Sequence, residues 1–559
     1  MYTYINKLKI NKFLSLCKNN SYNFCIKGKS IEEIKKYWDE NSDNYLSQDS
    51  GANGFYYTLI NMLKIEKRMN ILEVGAGGGF LYNHSLNRKH PNSNYYATDL
   101  SDSMLGILCK RIGVEYKPNQ LITIPNYNLH IEKANGEKLH YKNEMFDCYI
   151  ANLCLQITTN PEKMIQEANR VLQPGGYAGF TVWGDKQRSR FFTLVPSILH
   201  RQFGIKLPKV RSNFHLNDKQ KLINMLEQFG FTNIVCWNQF QPFPYVDKDD
   251  IQTLFTHPIV KDSLAECGDK KEEQQQTNPI KISSIEEVKQ FWEDNAQSYL
   301  SKDQAHNGFY FTLINMLKLE ERKNILEVGA GGGFLYNHSL QRKHPEANYY
   351  ATDISDSMLD TLCKRMGGQY TPTQTTYIPN YKLHISNANG EQLPFKDETF
   401  DCYICNLCLQ ITTNPDKMLS EAIRVLQKGG YAGFTVWGDK EKSKFFTLSS
   451  KILSEQFGIQ VPQVRNSFHL NDKNKLIKLL EDAGFTNIIC WSQFQPFPYI
   501  DEQDIQALYT IPSIKDSLKK AGDKQEEFKQ AMIKEFQQII IQNREPIGLD
   551  GLMIIAKKP

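Results

Sequence analysis

Apolar positions in the first half of the chain switch repeatedly between a helical and a strand period. In IEEIKKYWDENSDNYL, residues Ile31, Ile34 and Trp38 share one helical face. A second helical stretch, GFYYTLINMLKI, follows it. Then NILEV reads as a short buried strand, ends in a cluster of glycines and continues into a helix, FLYNHSLNRKH. NYYATDLSDSML repeats the pattern, a strand ending at Thr98 or Asp99 followed by a helix capped by Ser101. LHIEKAN and FDCYIANLCLQI predict a third and a fourth strand. PEKMIQEANRVL predicts a helix with proline in its first turn and PGG after its end, and GGYAGFTVWG a fifth strand. From Asp185 to about Asn217 the pattern is irregular, which reads as a lid or binding loop. DKQKLINMLEQFG then predicts a helix and TNIVCWNQF a sixth strand. Strands alternating with helices imply parallel pairing through right-handed crossovers, and so an α/β fold with a Rossmann-like, doubly wound sheet covered by helices on both faces.

The whole pattern then recurs at a constant offset of 254 positions: Trp38 returns as Trp292, Gly75 as Gly329, Trp183 as Trp437 and Pro258 as Pro512. A period this long is a duplicated domain rather than a solenoid. The expected division is a basic N-terminal arm (1–29), a first domain (30–268), a linker (269–283) and a second domain (284–559). The copies part at their ends. The second continues through the helical DKQEEFKQAMIKEFQQIIIQNR into the strand-like GLDGLMIIAKKP, where the first has KKEEQQQTNPIKI. The first copy is therefore expected to lack a terminal helix and strand.

Composition narrows the function classes. A formal charge of +4 over 559 residues is too small for an electrostatic nucleic-acid binder, so no nucleic-acid partner is expected. The sequence has no apolar run long enough to span a bilayer. The twelve cysteines, with no secretory leader, read as reduced thiols, and the expected compartment is the cytoplasm. The arm carries Lys7, Lys9, Lys12, Lys18, Lys27 and Lys29 and no arginine. It reads as a disordered extension, with a mitochondrial transit peptide as the competing reading. Cys402, Cys405 and Cys408 are spaced by three in a strand-like segment, and Ala151 replaces the middle one in the first copy, so buried thiols are expected rather than a metal site.

The chemistry is concentrated in the loop Glu73-Val74-Gly75-Ala76-Gly77-Gly78-Gly79, which returns from Glu327 to Gly333. Glycines let backbone approach a ligand closely, and the following helix directs N–H groups at it. Phe80 and Phe334 stand where a dinucleotide fingerprint needs a small residue, and no Gly-Lys-Ser/Thr follows for a P-loop. Glu73 suits a ligand with an amino group and a sulfonium, and Asp99 can accept from two ribose hydroxyls.

With these motifs the chain resembles the class I S-adenosylmethionine-dependent methyltransferases, especially their small-molecule branch, the methyltransferase type 11 group. The resemblance covers both copies: E-x-G-x-G-x-G at Glu73 and Glu327, D-x-S-x-x-M-L at Asp99 and Asp353, Asn135-Gly136-Glu137 and Asn389-Gly390-Glu391 after the third strand, and R-V-L-x-x-G-G at Arg170 and Arg424. It implies S-adenosylmethionine as cofactor. Glu73, Gly75, Gly77 and Gly79, with Glu327, Gly329, Gly331 and Gly333, would form the loop around its methionyl part. Asp99 and Ser101, with Asp353 and Ser355, would serve the ribose side, and Asn135-Gly136 and Asn389-Gly390 the adenine. Tyr45 and Tyr299 resemble a tyrosine that closes over the cofactor, with ordinary helix packing as the alternative. Where relatives show Leu-His-His after the fourth strand, both copies have Leu-Gln, at Gln156 and Gln410, so a histidine base is absent there.

Methyl transfer is a displacement in which alignment supplies much of the rate, and the sequence names no base. Trp183 and Asp185, and Trp437 and Asp439, end the fifth strands, where open α/β sheets hold ligands, and are the candidate acceptor contacts. His84, His215, His338 and His469 read as packed or capping residues. A small organic or lipid-like acceptor is expected, with the second copy as the dependable catalyst and an intramolecular pseudo-dimer as one arrangement. The competing class is an inactive tandem cofactor-binding or scaffolding protein.

Overall fold

In the first repeat the elements are α1 (Ile31–Leu46), α2 (Asn53–Met62), β1 (Asn70–Val74), α3 (Phe80–Ser85), β2 (Asn94–Asp99), α4 (Asp102–Arg111), β3 (Ile122–Ile124), β4 (Leu129–Lys133), β5 (Phe146–Asn152), α5 (Pro161–Val171), β6 (Leu172–Thr181) and α6 (Lys219–Gln228). The second has α7 (Ile285–Leu300), α8 (Asn307–Met316), β7 (Asn324–Val328), α9 (Phe334–Ser339), β8 (Asn348–Asp353), α10 (Asp356–Arg365), β9 (Thr376–Ile378), β10 (Leu383–Asn387), β11 (Phe400–Asn406), α11 (Pro415–Val425) and β12 (Leu426–Trp437). It continues through α12 (Lys444–Phe457), α13 (Lys473–Asp482), β13 (Thr486–Pro496), α14 (Gln525–Gln537) and β14 (Gly548–Lys557). This computed structural model describes residues 30–46, 53–189, 214–242, 284–300, 307–340, 342–459, 468–499 and 517–559. The basic arm and the linker expected from the sequence lie outside them. The described residues fall into two compact units. The first holds those in 30–46, 63–189 and 214–234, and the second those in 53–62, 235–242 and 284–559.

The first unit is built on a six-stranded sheet of order β3-β4-β2-β1-β5-β6. All its neighbours are parallel except the short β3, which runs antiparallel to β4. β1 is buried from Ile71 to Val74, as a central parallel strand covered on both faces must be. α5 starts where Asn160 accepts the Lys163 N–H and Pro161 opens the first turn. Its Met164, Ile165, Ala168 and Val171 repeat with the helical period and pack with Leu72, Phe146 and Tyr149.

The second unit has an eight-stranded sheet of order β13-β14-β12-β11-β7-β8-β10-β9. β14 runs antiparallel between β12 and β13 and pairs with both. The terminal helix and strand expected only in the second copy are α14 and β14. Among the described residues the first sheet ends at β6.

That difference accounts for two departures from the sequence reading. TNIVCWNQF forms a strand in the second copy (β13) but not in the first, where Thr232–Phe240 has no ladder. The sequence favours extension in both, yet β13 bonds only to β14, and the first repeat has no such partner. Cys236 instead donates its N–H to the Arg544 carbonyl at 3.0 Å within the second unit. Likewise β12 runs to Trp437, held by Trp437↔Gly551 pairing, while β6 stops at Thr181, two residues short of Trp183.

Further differences from the sequence reading are local. The fourth strands stop at Asn152 and Asn406, because Leu153 and Leu407 turn left-handed with φ of 50° and 53° and short 3-10 turns follow. The three-residue β3 and β9 were not expected; half exposed at the sheet edge, they have no apolar period to show. The stretch after Asp185 leaves the described residues at position 190, but its counterpart in the second copy forms α12. There Leu448, Ile452 and Leu453 pack with Phe528, Met532 and Phe536 of α14.

The terminal strand also predicts unequal costs at equivalent positions. Phe434 on β12 is fully buried beside β14, whereas its counterpart Phe180 on β6 is only partly buried. Phe434→Ala should cost about 3–5 kcal/mol and Phe180→Ala clearly less, read from urea unfolding of the full chain.

Candidate functional site

At the carboxyl end of each sheet, the first strand, the glycine loop and the second strand are tied by backbone hydrogen bonds. In the first repeat Gly75 and Ala76 both donate N–H to the Thr98 carbonyl, each at 2.9 Å. Gly77 donates to one Asp99 carboxylate oxygen at 2.8 Å and Ser101 to the other at 2.9 Å. The second repeat reproduces this: Gly331 and Ser355 each reach Asp353 at 2.9 Å. Burial pushes both aspartates above the ordinary carboxylate range, and the backbone N–H groups oppose it.

The loop glycines divide by task. Gly75, at φ +76°, packs against Cys154, where a Cβ would stand 2.6 Å from the sulfur, and Gly79 packs equally closely on Leu108. Gly77 faces open space, with nothing within 4 Å of a Cβ, and Gly331 does the same. Two glycines thus let the chain pack on itself, and the middle one leaves room for a ligand.

Asn135 joins the same end of the sheet, since Ala134 donates its N–H to the Asp99 carbonyl at 3.0 Å. Its side-chain oxygen accepts the Glu137 N–H at 2.9 Å, as Asn389 does from Glu391 at 2.9 Å. Glu137 in turn takes the Thr159 N–H and hydroxyl, each at 2.7 Å, so the turn is held rigid behind the crevice. Gly136 packs on Val74 and Met164.

Glu73 and Glu327 lie beneath the loop, each accepting a tyrosine hydroxyl: Tyr95 at 2.8 Å and Tyr349 at 2.7 Å. Burial is the main cause pushing both carboxyls up to about 8, with the charges of Asp99 and Asp353 adding to it. Tyr45 and Tyr299 fall in the last turns of α1 and α7, with side chains outside the described atoms.

Sequence reasoning missed what holds those helices. The Ser101 hydroxyl donates to Asp39 of α1 at 2.6 Å, and Asp39 also accepts the Ser103 N–H at 3.1 Å, a carboxylate at the start of α4. Lys35 bridges Asp39 and Asp102 at 2.6 and 2.8 Å. In the second repeat the longer Glu293 accepts the Asp356 and Ser357 N–H groups at 2.7 and 3.1 Å. A charge at each of these positions was readable, but its partner more than sixty residues away was not.

The candidate acceptor contacts differ between the repeats. Trp437 is almost buried, its ring edge-on to Phe446 at 5.1 Å and to Phe309 at 6.3 Å. Asp439 donates its N–H to the buried Asp550 carboxylate of β14 at 2.7 Å, and the Ser492 hydroxyl meets its other oxygen at 2.7 Å. Asp550 escaped the sequence reading, although a lone carboxylate in GLDGLMIIAK was a signal. In the first repeat Asp185 accepts the Gln187 N–H at 2.8 Å, and no described strand lies in the place of β14. His338 stacks among Tyr310 and Phe311, a packed residue as expected. Phe445 and Phe446 pack on the core of the second unit, and Phe191 and Phe192 lie outside the described residues.

Comparison with known proteins matches a methyltransferase domain to residues 72–180 and again to 326–434. The chain carries two methyltransferase domains in tandem. These belong to the S-adenosylmethionine-dependent family. The chain is 31% identical over 215 residues to the mitochondrial 2-methoxy-6-polyprenyl-1,4-benzoquinol methylase of Dictyostelium discoideum, covering 32% of this chain and 66% of that protein. It is 28% identical over 160 residues to the biotin biosynthesis bifunctional protein BioHC of Teredinibacter turnerae, covering 25% and 27%. With a ubiquinone/menaquinone biosynthesis C-methyltransferase of Vibrio cholerae it shares 32% identity over 108 residues, covering 19% and 38%. In all three the match spans less than two thirds of the relative. Among the described residues of these methyltransferase domains, no helix is long and apolar enough to cross a membrane.

The residues present fit the family's cofactor. Backbone N–H groups hold both Asp99 oxygens in place as acceptors, as a ribose diol requires, and the space at Gly77 is open.

Two predictions follow from the methyltransferase site. Below the usual glutamate value of 4.5 both buried glutamates are neutral in the folded and unfolded chain; between 4.5 and about 8 only the unfolded chain ionises. Stability of the ligand-free protein should therefore fall across that window, by up to roughly 1.4 kcal/mol per pH unit for each group. Thermal unfolding of Glu73→Gln/Glu327→Gln should show a flatter decline. Glu293→Ala should cost about 0.5–2 kcal/mol and speed amide exchange in Ile285–Leu300, with Asn324–Val328 unaffected.

Proposed function

We propose that the chain transfers a methyl group from S-adenosylmethionine to a small organic or lipid-like acceptor, holding cofactor in both repeats and carrying out transfer in the second. The observation that carries this reading is the contrast between the two ends of the site. The glycine loop and its aspartate are the same in both repeats, whereas among the described residues only the second has a strand, β14, beside its acceptor end. The relatives' names include a benzoquinol methylase and a quinone-pathway C-methyltransferase, which supports a small, partly apolar acceptor.

When bound, S-adenosylmethionine supplies an electrophilic methyl group on a cationic sulfur. Asp99 and Asp353 would orient the ribose, and the open faces of Gly77 and Gly331 would admit the methionyl portion. Asn135 and Asn389, held in their turns, would present the loop after β4 or β10 to the adenine. Trp437 and the Asp439 turn, clamped by Asp550, would form a dry wall against the acceptor. With no base at the Gln410 position, fixing the acceptor in line is the main contribution of the chain.

Calorimetric titration of the full chain with S-adenosylmethionine should give close to two equivalents. Asp99→Ala and Asp353→Ala should each weaken one site by roughly tenfold to a hundredfold. Turnover on an acceptor should be lost with Asp353→Ala and kept with Asp99→Ala; the reverse would assign transfer to the first repeat. Two intact sites with no turnover on any acceptor would favour a tandem binding protein.

A further inference from the structure

The duplication supplies an internal comparison at the end of the fourth strand. Asn152 and Asn406 close β5 and β11, and each lies opposite a threonine, Thr181 or Thr435, on the neighbouring strand. In the first repeat the Thr181 hydroxyl donates to the Asn152 side-chain oxygen at 2.6 Å and accepts the Leu153 N–H at 2.8 Å. In the second, Leu407 donates to the Thr435 backbone carbonyl at 2.9 Å. The Thr435 hydroxyl turns to the Met553 sulfur on β14 at 3.5 Å. The Asn406 side-chain amide oxygen is left buried with no hydrogen-bond partner among the described residues.

A buried amide oxygen without a donor costs about 1–3 kcal/mol, and native proteins keep few of them without cause. Gln410 carries a second: its amide N–H reaches the Leu407 carbonyl at 3.0 Å while its oxygen is unpartnered, and Gln156 in the first repeat is the same. The unmet need of Gln156 and Gln410 is common to both repeats and so does not distinguish them. The unmet need of Asn406 is particular to the repeat that has β14.

Its position agrees. Strand alternation puts Cys402, Ile404 and Asn406 on one face of β11, and register puts Thr435, Trp437, Gly551 and Met553 on the same face of β12 and β14. Phe309 closes over Gly551, where a Cβ would stand 2.9 Å from its ring, and meets Trp437 edge-on. An unpaired acceptor thus lies at the carboxyl end of a parallel strand beside aromatic rings.

We propose that Asn406 is the acceptor-recognition residue of the second repeat, its amide oxygen taking a hydrogen from a hydroxyl or amino group on a small acceptor seated against Trp437 and Phe309. This rests on the methyl-transfer reading and adds the chemistry of the acceptor: the group it presents to β11 is a hydrogen-bond donor. Asn152, already engaged by Thr181, has no such role.

The test uses full-length protein saturated with S-adenosylhomocysteine and two probes that differ in one donor hydrogen, phenol and anisole, followed by saturation-transfer NMR. Phenol should bind at least about tenfold more tightly than anisole. The preference should vanish in Asn406→Leu and survive in Asn152→Leu. Met553→Leu, nearly volume-conserving, removes the sulfur that holds the Thr435 hydroxyl, and should weaken phenol without unfolding the sheet. Equal affinities, no phenol binding, or a preference that Asn406→Leu and Met553→Leu leave intact would overturn the assignment. Failure of S-adenosylhomocysteine to bind the folded chain would instead remove the methyl-transfer reading beneath it.

Discussion

A parallel sheet ends in a row of backbone groups whose partners must come from the loops that leave it. In each repeat this need is met at the end of the second strand. The Thr98 carbonyl takes two loop N–H groups, and the Asp99 carboxylate takes one more from Gly77 and one from the residue that caps the next helix. Loop, helix and crevice are fixed by this one strand end. Asp39 or Glu293 extends it to the helix before the core. The carboxyl end of the sheet is therefore organised by the chain itself, with the face of Gly77 left open.

The end of the fifth strand obeys a different constraint. β14 satisfies β12 on one side and β13 on the other, and through Asp550 fixes the turn after Trp437. Where it is missing, β6 ends early and Thr232–Phe240 forms no ladder. One strand thus gives two similar sequences different geometries after the fifth strand.

Much of this was readable from local pattern. The helical and strand periods, the Ser101 cap, the glycine loop and the extra terminal elements all depend on neighbours a few residues apart. The errors have a common origin. Thr232–Phe240 has the composition of a strand, but a strand needs a partner that composition does not report. The fourth strands stop because Leu153 and Leu407 take left-handed backbone, which leucine does not advertise. The capping carboxylates of Asp39 and Glu293, and the Asp550 clamp, join residues more than fifty positions apart. The switch of the Thr435 hydroxyl from asparagine to methionine was hidden in residues identical to those of the other copy.

That switch bears on how the two halves can change. At the cofactor end both copies are held to the same residues by the same hydrogen bonds, so a substitution tolerated in one should be tolerated in the other. At the end of the fourth strand the constraint is lopsided: Asn152, Thr181 and the Leu153 N–H satisfy one another as a closed set, while the Asn406 oxygen has no partner among the described residues. Duplication here has produced one copy whose polar groups close on themselves and another in which the same asparagine is left with an open valence.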